Sequence, residues 1–264
     1  MSLVRPMHRS GFGAALGFAG LLIGGAVAVV LVGGSSGPSS AEPALPPSPR
    51  SALAPKNVPL GPHPVASWAP VVELTEVLRS PTRPSVVAEV PTRTPEGTTN
   101  IVLMLGGAER RAGRLWVHVR APGVRQDVRG WVPRSALGGY TAVRTRLVVD
   151  RARLRATLLR DERPVFRARV AIGMPSTPTP SGDFYVRNQL HRYRSPFYGP
   201  LAFGTSARSS GVTDWPAGGF VGIHGTNRAD LIPGRVSHGC IRMSNPDIVR
   251  LARLMPVGTP MTVR

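Results

Sequence analysis

Residues 236–243 read Val-Ser-His-Gly-Cys-Ile-Arg-Met, and they contain Cys240, the only cysteine in a chain of 264 residues. A second His-Gly pair, His224-Gly225, lies sixteen residues before Cys240. A thiol attacks as its thiolate, which a neighbouring base or positive charge stabilises. The two histidines therefore make Cys240 a candidate nucleophile, and an inert buried cysteine is the alternative.

The two histidines suggest different roles. Gly239 separates His238 from Cys240 and favours a tight turn, in which successive backbone N–H groups can converge to form an oxyanion hole. His224 arrives from a different strand, so it is the better candidate for the general base. Gly225 has no side chain and allows close approach to the imidazole. No Asp or Glu follows either histidine, so a backbone carbonyl is the candidate for orienting the ring.

Residues 145–264 are predicted to form a mainly β domain. Alternating apolar and polar positions predict strands over 147–150, 154–158 and 165–172, with turns at Asp150-Arg151 and at 161–163. Three prolines in 175–182 predict a rigid loop, and 184–186 resumes a strand. The irregular stretch 188–219 is typical of a functional loop such as a lid.

The end of this domain contains a short strand and a helix. The apolar run 220–223 predicts a strand that ends at His224. Ser244-Asn245-Pro246-Asp247 has the polar cap and early proline of a helix start. An apolar face at helical spacing follows at Ile248, Leu251, Ala252 and Met255. We expect this to be the only substantial helix of the domain.

Residues 1–34 are typical of an exported or membrane-anchored protein. Residues 1–10 resemble a cytoplasmic n-region, and 11–34 are uncharged. That length favours a transmembrane helix over a signal peptide, and the preceding basic residues place the rest of the chain outside the cytoplasm. Cleavage near Ala41, giving a secreted protein, is the alternative. Outside the cytoplasm, an odd cysteine is a candidate reactive thiol.

Residues 35–70 are rich in Pro, Ser and Ala and predict an extended linker. Residues 71–139 predict a small all-β module with strands at 86–88, 101–105, 115–119 and 130–132. Its last two strands, 115–119 and 130–132, resemble those of bacterial SH3-like domains. Trp116 and Trp131 are candidates for the module's core or for a ligand groove, and we favour the core.

The formal net charge is +19, and Lys56 is the only lysine. The arginines are spread along the chain without basic runs or interleaved aromatic residues, so nucleic acid is not an expected partner. We expect affinity for an anionic cell envelope instead.

His224-Gly225-Thr226-Asn227 followed by residues 237–243 resembles the motif of the YkuD-domain L,D-transpeptidases. Three supporting features match as well: the strand 148–150, the proline-rich segment 177–185 and the closing strand 257–263. The resemblance covers about residues 145–264. It implies a YkuD-type, β-sandwich-like catalytic domain with one short C-terminal helix, preceded here by the SH3-like module and the transmembrane segment.

The resemblance also implies roles for individual residues. Cys240 would be the nucleophile and His224 the general base and later acid. The oxyanion hole and its support would come from Ser237, His238, Gly239 and Gly225. Substrate-binding candidates are Arg242, Thr226, Asn227 and Tyr198. Many family members have Asn two residues after the cysteine, where this chain has Arg242, so the acceptor preference stays open.

The substrate that the resemblance implies is a peptidoglycan stem tetrapeptide. Family members cut the bond before D-Ala and form a thioester on the cysteine. An amine acceptor then gives a 3→3 cross-link, whereas water gives a carboxypeptidase product. The resemblance implies no cofactor and no metal.

Three alternatives remain open at the level of sequence. His224, His238 and Cys240 could be three zinc ligands of a wall amidase or peptidase, because catalytic zinc often has three protein ligands. A sortase is a second kind of cysteine transpeptidase, but only twenty-four residues follow Cys240. The chain could also be a non-catalytic wall-binding protein that acts through its SH3-like module.

Overall fold

The structure is a computed structural model, and it describes residues 66–83, 85–123, 128–191, 195–209, 211–212 and 219–264. The expected n-region, the uncharged segment 11–34 and most of the linker lie outside the described residues and stay predictions. Within the described part of the chain, no helix is long and apolar enough to cross a membrane.

The N-terminal module is a seven-stranded sheet in the order β3-β2-β6-β5-β4-β1-β7. Its strands are β1 (Ala66–Pro70), β2 (Thr75–Leu78), β3 (Val86–Val90), β4 (Ile101–Arg111), β5 (Arg114–Ala121), β6 (Val128–Pro133) and β7 (Thr141–Val143). All four strands expected from the sequence are present. Residues 66–70, which we assigned to the linker, instead form β1, because Trp68 is buried between the module and the C-terminal domain. The likeness to SH3 domains stays a prediction.

The core of this module consists mainly of valines. Val117, Val119 and Val132 are fully buried, and inward and outward positions alternate along β5 and β6. Trp116 and Trp131 occupy the outward positions and are only half-buried. The core placement that we favoured for both tryptophans is therefore wrong. Trp131 stacks on His118 instead, with 5.1 Å between ring centroids.

The C-terminal domain is a ten-stranded sheet in the order β10-β9-β8-β17-β12-β13-β14-β16-β11-β15. Its strands are β8 (Thr145–Asp150), β9 (Arg155–Arg160), β10 (Arg163–Arg169), β11 (Ala171–Gly173), β12 (Gly182–His191), β13 (Leu201–Arg208), β14 (Phe220–His224), β15 (Gly234–Ser237), β16 (Ile241–Arg242) and β17 (Pro260–Val263). One short helix, α1 (Asn245–Ala252), accompanies them in the described residues. The prediction of a mainly β domain with one short helix is confirmed.

Helix α1 begins as the sequence indicated. The Ser244 hydroxyl accepts a hydrogen bond from the Asp247 backbone N–H at 3.2 Å, which satisfies an otherwise unpaired donor of the first turn. Ile248 and Leu251 are fully buried against the sheet.

Residues 188–219 do not form the long irregular loop that we expected. Residues 188–191 end β12, and β13 occupies 201–208. All of 201–207 is buried, so β13 is covered on both faces and lacks the alternation that marks a half-buried strand. The lid interpretation is wrong for these two segments; residues 192–194, 210 and 213–218 lie outside the described part of the chain.

Strand β12 has two differently covered faces. Phe184 and Val186 point into the core of the C-terminal domain. Tyr185, on the opposite face, lies in a cluster with the module's Trp68 and donates its hydroxyl to the Ile101 carbonyl at 2.9 Å. Burial raises the pKa of Tyr185, which keeps the phenol protonated as a donor. The module therefore packs directly on the sheet of the C-terminal domain.

Strand β10 is the outer edge of the ten-stranded sheet. Its side chains Arg163, Arg167 and Arg169 are exposed. The pairing register of β10 with β9 shifts between Pro164 and Phe166.

Gly258→Ala tests the contact between the module and the C-terminal domain. A Cβ at Gly258 would lie 1.9 Å from Trp68 Cδ1, and Gly258 has a φ of 82°. Gly113 has a φ of 73° with nothing within 4 Å, so Gly113→Ala introduces backbone strain without a clash. We expect Gly258→Ala to lower the free energy of unfolding by about 3 kcal/mol and Gly113→Ala by about 1 kcal/mol. Urea denaturation followed by tryptophan fluorescence measures the free energy of unfolding of both variants. Equal losses in the two variants would contradict a close contact between Gly258 and Trp68.

Candidate active site

Cys240 and His224 lie at neighbouring strand ends. Strands β14 and β16 pair in parallel, with Ile223 opposite Ile241 and His224 opposite Arg242. His224 ends β14, and Cys240 immediately precedes β16. Cys240 is 6% exposed and His224 is 0% exposed. The fold thus brings together the two residues that the sequence singled out as nucleophile and base.

The thiol of Cys240 has a backbone donor in an apolar setting. Its Sγ accepts a hydrogen bond from the Gly222 N–H at 3.4 Å. The surrounding cluster consists of Leu190, Tyr198, Ala202, Val212 and Phe220. Apolar surroundings disfavour a buried charge, whereas a hydrogen bond to the charged form favours it. The hydrogen bond from the Gly222 N–H therefore offsets part of the energetic cost of burying a thiolate at this position.

The orientation of His224 follows from one short hydrogen bond. Its Nδ1 lies 2.6 Å from the Gly225 carbonyl oxygen. Because a carbonyl can only accept, Nδ1 carries the hydrogen, and Nε2 is the basic nitrogen of the neutral ring. The Tyr198 ring packs edge-on against the imidazole, with 4.8 Å between centroids. A backbone carbonyl thus has the orienting role that a carboxylate has in many triads.

Side chains brace the turn that carries Cys240. The Ser237 hydroxyl donates to the Cys240 carbonyl at 2.6 Å and accepts from the Gly239 N–H at 3.1 Å. The φ of Gly239 is 127°, a conformation that favours glycine. Ser237 thus engages the Gly239 N–H. The oxyanion hole that we expect in this turn stays a prediction.

Thr179 is a site residue that sequence reasoning missed. Its buried hydroxyl donates to the Gly239 carbonyl at 2.8 Å and accepts from the Gly173 N–H at 2.9 Å. Thr179 thereby connects the proline-rich loop to the turn of Cys240. The prolines indicated a rigid loop, but no local signal showed which distant turn the loop contacts.

Asn245 is a second missed residue, since we interpreted it only as part of a helix start. Its Oδ1 accepts from the Thr226 N–H at 2.9 Å. A Cβ on Gly225 would lie 2.3 Å from this oxygen, and one on Gly199 would lie 2.4 Å from it. Gly225 is therefore required for close packing beside His224.

The predicted substrate-binding residues differ in their surroundings. Thr226 is buried, and its hydroxyl accepts from the Arg228 N–H, whereas Asn227 is exposed. Arg242 is 9% exposed and places its guanidinium over the Phe197 ring, 4.6 Å from the centroid. Arg242 and Tyr198 therefore lie with the aromatic residues beside His224, and Thr226 supports the backbone.

The two histidines near Cys240 are not equivalent. His224 is buried, whereas His238 is exposed. Among the described residues, no group of three His, Cys, Asp or Glu side chains is placed to hold a metal ion. The arrangement of His224, His238 and Cys240 gives the three-ligand zinc hypothesis no support.

The geometry defines a mainly β domain in which a buried thiol and a buried imidazole lie on adjacent strand ends. Residues 144–263 match the family model of YkuD, the L,D-transpeptidase catalytic domain. The N-terminal module lies outside the matched residues.

Individual relatives are similar over the same region. YkuD of Bacillus subtilis is 39% identical over 94 residues, which cover 36% of this chain and 50% of that protein. YqjB of Bacillus subtilis is 36% identical over 99 residues, covering 36% of this chain and 56% of that protein. The chain thus spans about half the length of these curated relatives. A solved catalytic domain of the Enterococcus faecium L,D-transpeptidase is 27% identical, covering 46% of this chain and 96% of that domain, with a TM-score of 0.35.

Thr179→Val tests the bracing of the Cys240 turn. Valine has nearly the same shape but leaves the Gly173 N–H and the Gly239 carbonyl without their partner. We expect a loss of about 2 kcal/mol in the free energy of unfolding and slower acylation of Cys240 by a carbapenem, measured by mass spectrometry. Thr157→Val, on the half-buried outer face of β9, is the matched control. This variant is expected to leave the free energy of unfolding and the rate of acylation nearly unchanged. Acylation at the original rate in Thr179→Val would contradict a role in the site.

Proposed function

We propose that this protein is a peptidoglycan L,D-transpeptidase with Cys240 as its nucleophile and His224 as its general base. The observation that supports this most is the thiol of Cys240 beside the Gly222 N–H, next to an imidazole whose Nδ1 is held by a carbonyl. The match of residues 144–263 to the YkuD family model supports peptidoglycan stem peptides as the substrate class.

The first half of the reaction forms an acyl-enzyme. Nε2 of His224 takes the thiol proton, and the sulfur of Cys240 attacks the carbonyl carbon of the third stem residue. The negative charge on the carbonyl oxygen would be stabilised by backbone N–H groups of His238 and Cys240, because Gly239 donates to Ser237. The imidazolium then returns the proton to the amine of D-Ala as the C–N bond breaks, leaving a thioester.

The second half transfers the acyl group. An incoming amine loses a proton to Nε2 of His224 as its nitrogen attacks the thioester, and the proton returns to the departing sulfur. If the amine belongs to a neighbouring stem, the product is a 3→3 cross-link, whereas attack by water gives the tripeptide. Incubation with a defined tetrapeptide, followed by separation of cross-linked dimer from tripeptide, identifies the acceptor.

Arg242 has a supporting role in this proposal. Its guanidinium covers the Phe197 ring, and Phe197 and Tyr198 both pack near the His224 imidazole. A buried cation at this position is suited to attract the carboxylate of a stem peptide while keeping the aromatic residues in place.

Our proposal for the location of the protein rests on the sequence outside the described residues. We propose that the catalytic domain lies on the outer side of the membrane, held by the segment 11–34 or released after cleavage near Ala41. The positive charge of +19 suits an anionic envelope.

Cys240→Ala is expected to abolish covalent modification by a carbapenem or by a tetrapeptide donor while leaving the fold intact. His224→Ala is expected to slow acylation at least about a hundredfold, because the thiol loses its base. The exposed His191→Ala is the control variant and is expected to retain acylation. Mass spectrometry of the intact protein measures the adduct. An adduct on Cys240→Ala would show that the nucleophile is a different residue.

A further inference from the structure

A buried ion pair connects the N-terminal module to the C-terminal domain. Glu96 lies between β3 and β4 of the module, and its carboxylate accepts from Arg187 Nη2 at 2.9 Å. The two side chains are 3% and 1% exposed. Burial lowers the pKa of Arg187, and the nearby charge of Glu96 opposes this effect. A buried pair of this kind is costly to break, because removal of one partner leaves the other charge uncompensated.

The loop that carries Glu96 is built to insert at this position. Thr94 and Thr98 join through their hydroxyls at 2.8 Å, and both hydroxyls accept from Asn188 Nδ2. Asn188 Nδ2 also donates to the second carboxylate oxygen of Glu96 at 3.1 Å. The Glu96 carboxylate is thus held by two neighbouring residues of β12.

Arg187 contacts β14 through the ring of Phe220. Its guanidinium lies over the Phe220 ring, 3.8 Å from the centroid, and that of Arg208 lies 4.3 Å from the same centroid. Phe220 begins β14 and belongs to the apolar cluster that contains Cys240. The ring therefore lies between the ion pair and the surroundings of the thiol.

A second route from Arg187 to β14 passes through Thr205. Arg187 Nε donates to the Thr205 carbonyl at 2.8 Å, and the Thr205 hydroxyl donates to the Val221 carbonyl at 2.7 Å. The register between β13 and β14 shifts between Gly204 and Arg208, so the regular backbone ladder is interrupted here. Side-chain hydrogen bonds hold β14 in place at the interruption.

We propose that Glu96 of the N-terminal module is a positioning residue for the thiol site. Glu96 holds Arg187 of β12, and Arg187 in turn keeps strand β14 in position. This strand supplies both the Gly222 N–H that contacts Cys240 Sγ and the imidazole of His224. Loss of the Glu96 charge releases Arg187 from Phe220 and Thr205, and the Gly222 donor then loses its alignment with the sulfur. The inference rests on the proposed role of Cys240 as the reactive thiol.

Alkylation of Cys240 by iodoacetamide, measured against pH in the full chain, tests this proposal without any peptidoglycan substrate. Glu96→Gln keeps the size of the side chain and removes its charge. We expect the pH midpoint of alkylation to rise by about one unit, which is roughly a tenfold slower reaction below the midpoint. Glu76→Gln, at an exposed position on β2 of the same module, is the matched control and keeps the original profile.

The double variant Glu96→Gln with Arg187→Met separates positioning from folding. Removal of both charges relieves the uncompensated arginine, so the free energy of unfolding recovers relative to Glu96→Gln alone. The double variant still lacks the Arg187 cation over Phe220, so the pH midpoint of alkylation is expected to stay raised.

A folded Glu96→Gln protein with the original pH profile would overturn the proposal, as would a double variant that regains the original profile. If alkylation depends on Glu96 but no stem peptide acylates Cys240, the proposed function fails and the positioning role stands.

Discussion

The site depends on a very short stretch of parallel pairing between β14 and β16. Two residue pairs, Ile223 with Ile241 and His224 with Arg242, determine how the imidazole lies relative to the thiol. The Met243 N–H extends this pairing by donating to the His224 carbonyl at 2.9 Å. So few hydrogen bonds cannot fix the geometry alone, which explains why other contacts converge on both segments. Ser237 and Thr179 hold the turn before β16, and Thr205 and Arg187 hold β14.

The sequence was informative where structure is determined locally. The short helix, the turns of the β8–β10 meander and the strand ending at His224 all have local signals, namely a capping residue, alternation and an apolar run. The sequence was uninformative where burial is two-sided or contacts are distant. Strand β13 lacks alternation because both of its faces are covered. Thr179 and Asn245 contact segments 60 and 19 residues away, and no local pattern encodes such partners.

The family match covers only the C-terminal domain, whereas the residues that pack together include part of the N-terminal module. The family match begins at residue 144, yet β12 of the matched domain has one face covered by the module. Removal of the module would expose Tyr185 and leave Arg187 without its carboxylate. The two sheets therefore share a buried surface, and the stability of the C-terminal domain includes contacts made by residues before it. This arrangement links the surroundings of Cys240 to side chains that precede the family match.

The outer edge of the large sheet has a further consequence for how the molecules meet one another. An exposed edge strand offers unpaired backbone groups to any other extended chain. In β10, Pro164 has no N–H to offer, the register shift disrupts the regular spacing, and Arg163, Arg167 and Arg169 repel an identical edge. Two copies of this edge are thereby discouraged from pairing, so these three arginines help to keep neighbouring molecules from joining sheet to sheet.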